Sequence, residues 1–250
     1  MSKVHNKDML RRTFVFGTFS TGYLLADKGS SNTGEHLVHR SSITGACLQP
    51  ESLVYLPPDH RREKKKSPLL VWLHGASLRG DDVQMLHKYG PPSVADRRGD
   101  FPFVVLSPQC PAGQLWTADA ACLMSLVDEA IVEYGVDPRR VYLTGLSMGG
   151  GGAWFLGSQY PHRFGAVVPM CGPTQPQQWA EGLRHMPVWC FHGEKDKVVP
   201  LRRSRDMVQA LKKIGNKAKF TILKGKGHDI TAQYNNDDIY DWMLSKKVKS

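Results

Sequence analysis

Residues 140–154 read RVYLTGLSMGGGGAW, with Ser147 set between Gly145 and Gly149. A serine hydroxyl is a weak nucleophile until a neighbouring base takes its proton, and it reaches a carbonyl carbon only if the backbone lifts it clear of its surroundings. A strand that turns sharply into a helix lifts it in that way, at the cost of a strained serine and of any side chain two residues to either side. The flanking glycines meet that condition. Gly149 to Gly152 then open the expected helix at a propensity cost of about 1 kcal/mol each relative to alanine, so this helix is expected to approach the neighbouring strands closely. Its N-terminus aims unpaired amides and the positive end of the helix dipole at Ser147, which places the Met148 N–H to bind the negative charge that develops on an attacked carbonyl oxygen.

The nucleophile needs a base, and the base needs an acid to orient it. After the apolar run 188–191 comes His192-Gly193-Glu194-Lys195-Asp196, and after 220–223 comes Gly225-Lys226-Gly227-His228-Asp229. Asp196 and His228 are the candidates, since each falls on a loop that follows an apolar strand, as Ser147 does. Asp229 and Glu194 are the competing carboxylates; Asp229 adjoins the base and should point away, and Glu194 stands closer to its strand and should reach less far.

A second oxyanion donor is expected from the loop after the run 69–73, which reads His74-Gly75-Ala76-Ser77-Leu78-Arg79-Gly80. Gly75 lets the chain fold back and present an amide, with Ala76 the first choice and Ser77 the second. His74 stands at the strand end within this turn and reads as a structural hydrogen-bonding residue. Trp116 and Ser77 are candidate substrate-binding residues, whereas Trp154 and Trp179 suit packing at least as well.

The elements that must position these residues follow from hydropathy. The runs 69–73, 103–107, 141–144, 166–170, 188–191 and 220–223 are short, continuous and rich in Val and Phe, which suits strands buried on both faces. Between them, Leu123, Leu126, Val127, Ala130, Ile131 and Tyr134 recur at helical spacing, as do Met207, Val208, Leu211 and Ile214. Alternating strands and helices predict a mostly parallel central sheet with helices on both faces, and a site at the strands' C-terminal ends. Ahead of this, 37–40 and 52–56 predict an antiparallel hairpin, ended by Pro57 and Pro58. Residues 34–250 are expected to form one domain.

The chain of 250 residues carries 33 Lys and Arg against 23 Asp and Glu, a net charge of +10. The excess sits at the ends, since residues 69–211 hold 13 of each sign. Lys64, Lys65 and Lys66 follow a Pro-Pro turn and read as a solvated loop, so no nucleic-acid partner is expected. Five cysteines, Cys47, Cys110, Cys122, Cys171 and Cys190, show no CxxC and no paired metal spacing, which argues against a disulfide scaffold and a zinc site. Arg11 and Arg12 precede an uncharged stretch, 13–26, too short to span a bilayer comfortably. Residues 1–33 thus resemble a twin-arginine export signal, with a periplasmic or extracellular destination, and the alternative is an edge hairpin of a cytoplasmic protein. No stable membrane insertion is expected.

With these residues in place, 35–245 resembles the α/β-hydrolase fold of the phospholipase/carboxylesterase and "predicted peptidase" group, relatives of dienelactone hydrolases and feruloyl esterases. The matching runs are LLVWLHGASLRGDD, FPFVVLSPQCP, VDPRRVYLTGLSMGGGGAW, RFGAVVPMCG, PVWCFHGEKDKVVP and KGKGHDITAQYNNDDIYDWML. The resemblance implies Ser147 as nucleophile, Asp196 as acid, His228 as base, and Ala76 and Met148 as oxyanion amides. It implies a serine esterase acting on small-molecule or saccharide esters without metal or organic cofactor. Departures surround the substrate: a second aromatic is missing from GQLWTADA, and Ile230 and Thr231 stand where a Ser-Trp pair is common. A serine peptidase of prolyl-oligopeptidase type, and a non-catalytic polysaccharide-binding protein on the same scaffold, are the alternatives.

Overall fold

Eight strands line up in one sheet in the order β1-β2-β4-β3-β5-β6-β7-β8. The computed structural model describes residues 34–248, apart from 44, 47, 59 and 61–65, so the expected export segment 1–33 and Lys64 and Lys65 lie outside the described residues. β1 (Glu35–Arg40) and β2 (Glu51–Leu56) form the predicted antiparallel hairpin, and β2 runs antiparallel to β4 (Val104–Pro108). From β4 onward, β3 (Leu69–Leu73), β5 (Val141–Leu146), β6 (Ala166–Met170), β7 (Trp189–Gly193) and β8 (Lys219–Leu223) all pair in parallel. Every residue of β3, β4, β6 and β7 is buried, the condition under which an unbroken apolar run is stable as a strand.

The helices cover both faces. Along β3, Leu69, Val71 and Leu73 join one core with α2 (Ala120–Glu133), α3 (Met148–Gln159) and α5 (Arg202–Lys213). Leu70 and Trp72, pointing the other way, pack with α1 (Gly90–Arg97) and α6 (Asp237–Leu244). The alternation of side chains along a strand divides the core in two. No described helix is long and apolar enough to cross a membrane.

Strand ends fall within two residues of the sequence expectation. β7, expected at 188–191, runs from Trp189 to Gly193, and it starts one residue late because Val188, following Pro187, makes only an isolated bridge to Val167. Register then brings Leu73 opposite Gly145, Gly145 opposite Pro169, and Gly193 opposite Leu223. The C-terminal ends of five strands therefore form one rim.

Helix α3 meets this rim at backbone distance. A Cβ on Gly149 would overlap the carbonyl of Leu73, and one on Gly150 would overlap the carbonyl of Met170. Gly151 and Gly152 instead face the side chains of Pro173 and Trp116. A methyl group at 149 has nothing but main chain to push against, so Gly149→Ala is expected to destabilise the fold by about 3 kcal/mol or more. Gly99→Ala, with open space around the added carbon, should be close to neutral. Paired thermal or urea melts check this, and equal midpoints for the two variants would contradict it.

Candidate active site

Ser147 sits between β5 and α3 with φ 57° and ψ −117°, a left-handed conformation that non-glycine residues rarely adopt. Two bonds hold it there: its N–H donates to Met170 O at 2.8 Å, and its carbonyl accepts from Gly151 N at 2.9 Å. The turn is tight enough that a Cβ on Gly145 would overlap the carbonyl of Gly149. The strain expected from the glycine pattern is present at the residue that needs it.

The structure brings together the three side chains singled out in the sequence. His228 Nε2 lies 2.7 Å from Ser147 Oγ, and His228 Nδ1 lies 2.7 Å from Asp196 Oδ2. An ionised carboxylate can only accept, so Nδ1 carries the proton and Nε2 is left to accept from the serine hydroxyl. Asp196 follows β7 and His228 follows β8, as their loops predicted. The competing carboxylates are engaged elsewhere: Glu194 Oε2 accepts from Gly225 N at 2.8 Å, and Asp229 Oδ1 accepts from the amide and hydroxyl of Thr231 at 2.9 and 2.6 Å.

The Asp196 carboxylate is fully buried, and burial pushes its pKa up. Hydrogen bonds from His228 and from the amides of Val199 and Val198 outweigh that and hold it below the ordinary carboxylate range. It therefore stays charged where it faces the imidazole. Two neighbours were not legible as part of this site. His192 Nε2 donates to Val199 O at 2.8 Å, lies 3.2 Å from Asp196 Oδ2, and leaves Nδ1 to accept from Ser204 Oγ at 2.7 Å. Burial lowers the pKa of His192, so the ring packs against the carboxylate without a charge of its own. The i,i+4 spacing of His192 and Asp196 is the signal that could have marked the contact.

Cys171 is the second neighbour. It stands just beyond the end of β6 with φ 46° and is fully buried. Cys171, Asp196 and His228 offer ligand atoms within 4.8 Å of one another, enough to consider a cation. The donor chemistry does not favour one. Burial pushes the Cys171 thiol up to about 12, which keeps it protonated, and both His228 nitrogens already have partners.

The loop after β3 passes close to Ser147, since a Cβ on Gly75 would lie 3.8 Å from the Ser147 Cβ. Ala76 and Ser77 begin a short 3-10 turn, Ala76–Leu78, and both are exposed. Met148 is the first residue of α3, so its N–H has no acceptor within the helix. The Gly75–Ala76 peptide is fixed from below. His74 is fully buried; its Nε2 accepts from Cys110 N at 3.0 Å, so its Nδ1 must donate, and it does, to Gly75 O at 2.7 Å. Because a peptide is planar and trans, pinning the Gly75 carbonyl also sets the direction of the Ala76 N–H. Gln109 Nε2 braces the same loop through Leu78 O and Asp82 O at 3.1 and 3.2 Å.

Trp116 is fully buried, and its Nε1 donates to His74 O at 2.9 Å. Its other edge reaches a cleft of about 340 Å³ whose walls include Met148, Leu115, Trp179, Gln175 and Arg203. Trp179, expected to pack, packs on Phe155 and also lines this cleft, whereas Trp154 only packs. Ser77 is not among the residues lining it.

Burial lowers the pKa of His74 from 6.5 to about 4. A depressed folded-state value means that the stabilisation is complete above pH 6.5 and is lost as pH falls toward 4, by about 3 kcal/mol in total. Thermal melts between pH 7.5 and pH 4 should show this loss. The His74→Gln variant, less stable at pH 7.5, should have the shallower acid dependence; parallel curves would exclude His74 as its source.

Comparisons with known proteins place the chain in a family. A family model described as Phospholipase/Carboxylesterase matches residues 101–239. The chain is 32% identical over 138 residues to the bifunctional acetylxylan esterase/xylanase XynS20E of Neocallimastix patriciarum, over 53% of this chain and 20% of that protein. It is 27% identical over 110 residues to acyl-protein thioesterase 1 of Gibberella zeae, over 39% of this chain and 44% of that one. A solved thermostable esterase superposes with a TM-score of 0.70 at 28% identity, covering 86% of this chain and 63% of the other. Each of these matches takes in less than two thirds of the relative's length.

Proposed function

The chain belongs to the phospholipase/carboxylesterase family, and we propose that it is a serine hydrolase that cleaves carboxylic esters through an acyl-enzyme. The observation that carries this reading is the unbroken hydrogen-bonded line from Asp196 through His228 to Ser147, with 2.7 Å at each step. A hydroxyl at the head of a helix, with a neutral imidazole nitrogen as its acceptor, is set up to lose its proton as it attacks.

In the proposed cycle, Ser147 Oγ bonds to the ester carbonyl carbon as His228 Nε2 takes the hydroxyl proton. The carbonyl oxygen gains the negative charge and is met by the N–H groups of Met148 and Ala76. Collapse breaks the bond to the leaving alkoxide, which takes the proton from His228. Water then repeats the sequence on the acyl-enzyme and releases the acid. Asp196 stays ionised throughout and holds the imidazole with Nδ1 protonated.

The cleft beside Met148 is proposed to receive one side of the ester. Trp116, Trp179 and Leu115 give it apolar walls, and Gln175 and Arg203 add polar groups that suit a sugar or another hydroxylated partner. Small-molecule and saccharide esters are the substrate class we favour, in line with the acetylxylan esterase named among the relatives.

Ser147→Ala should lower turnover of p-nitrophenyl acetate by a factor on the order of 10⁴ while leaving the melting temperature within a few degrees of wild type. Fluorophosphonate should label the wild type at Ser147 and spare the variant. Hydrolysis by Ser147→Ala at close to the wild-type rate would remove the assignment, faster cleavage of peptide anilides than of esters would favour the peptidase reading, and absence of both labelling and turnover in the wild type would favour a binding protein.

A further inference from the structure

On the face of the sheet that carries α1, the edge strand β1 brings one imidazole against two elements that follow β3. His36 lies in β1, His87 in the 3-10 segment Val83–Lys88, and Asp96 in the last turn of α1. His36 Nε2 is 2.6 Å from Asp96 Oδ1, His87 Nδ1 is 3.9 Å from Asp96 Oδ2, and the two imidazole rings are 4.3 Å apart between centroids. One ligand atom from each residue lies within 4.8 Å of the other two.

Both ring nitrogens of His36 are shut off from solvent; Nε2 faces Asp96 at 2.6 Å, and Nδ1 has no hydrogen-bond partner among the described residues. A buried polar atom left in that state costs free energy unless something else satisfies it. His87 and Asp96 are the accessible members, with side chains 30% and 46% exposed, so a solute ion could enter from their side and meet His36 at the back.

From these residues we infer that His36, His87 and Asp96 form a binding site for a divalent transition-metal ion of the zinc class, apart from the catalytic machinery. Two imidazole nitrogens and one carboxylate oxygen suit zinc, cobalt or nickel, whereas calcium and magnesium require mostly oxygen donors. Metal–ligand bonds of about 2.0–2.2 Å would require the three donors to draw together. His87, on the accessible side, has the freedom to close that distance, and water completes the coordination. A filled site ties the outermost strand of the sheet to the segment between β3 and β4, so its role is structural.

A second cluster, His39 with Glu129 and Glu133, lies on the opposite face of β1. There, the hydroxyl of Tyr134 already meets His39 Nδ1 at 3.0 Å and the Ser41 hydroxyl donates to Glu129, while His39 Nε2, buried without a hydrogen bond, lies 3.8 Å from Glu129 Oε2. It serves as an internal control for where an added ion goes.

Isothermal titration of the full chain with zinc chloride, paired with thermal melts, tests the inference. One equivalent of zinc should bind and raise the melting temperature. His87→Ala, a change at a partly exposed side chain, should weaken binding at least tenfold and abolish the thermal shift with p-nitrophenyl acetate turnover unchanged, and Asp96→Asn should weaken binding as well. Cobalt should give the visible absorption of a low-coordinate nitrogen and oxygen site in the wild type and lose it in His87→Ala. Failure of the wild type to bind, or undiminished binding by both variants, would overturn the site, and His39→Ala removing the zinc effect instead would move it to the other face.

Discussion

Everything at the rim depends on how closely one helix may approach the main chain of the sheet. The first turn of α3 rests on the carbonyls of Leu73 and Met170, which glycine permits and any other residue would prevent. That contact forces the connection from β5 into a turn so sharp that Ser147 must adopt a left-handed conformation. The strain is offset by bonds from its own amide to β6 and from Gly151 back to its carbonyl. The reward is geometric. The hydroxyl projects above the strand ends, and the unpaired amides of the helix lie directly behind it.

Around this turn, charge is handled by burial and by the choice of donors. Asp196 remains ionised in a buried position because two main-chain amides and an imidazole bond to it. The other two polar groups nearest to it are held neutral: His192 by burial, and Cys171 with its thiol raised to about 12. The negative charge is thus met by the two amides on one oxygen and by His228 on the other. His74 follows the same logic on the opposite side of Ser147, where burial keeps the ring neutral and a neutral ring can both accept from Cys110 and donate to Gly75.

The parts of the molecule that depend on local pattern were legible in the sequence. Unbroken runs such as Leu69–Leu73 and Ala166–Met170 became strands with those bounds, because a strand buried on both faces has no polar alternation to obscure it. The convergence of Ser147, Asp196 and His228 was legible because each follows a strand and therefore must emerge at the same edge. Contacts across the rim were not. His192 meets Asp196, Cys171 takes a left-handed conformation beside them, and Trp179 lines a cleft as well as packing, all by virtue of how separate segments meet. The cluster of His36, His87 and Asp96 escaped for the same reason, since a search for ligand pairs close in sequence finds none of them.

The N-terminal hairpin, which reads in the sequence as a mere addition to the parallel sheet, is in direct contact with the loop that presents Ala76. β2 pairs with β4 as far as Pro108, and beyond that pairing Gln49 N donates to Gln109 O at 2.8 Å while the Gln49 side chain donates to Gly80 O at 2.9 Å. Gln109 in turn holds the loop at Leu78 and Asp82, and the next residue, Cys110, fixes the His74 ring. The hairpin is therefore part of the frame that orients the loop after β3, joined to it by a continuous series of hydrogen bonds. An edge strand has neighbours on one side only, so β1 must be fastened by its side chains, and it carries His36 to a carboxylate on one face and His39 to two on the other. Fastening β1 firmly keeps β2 in register, and β2 in register keeps the Gln49 contacts with the loop in place.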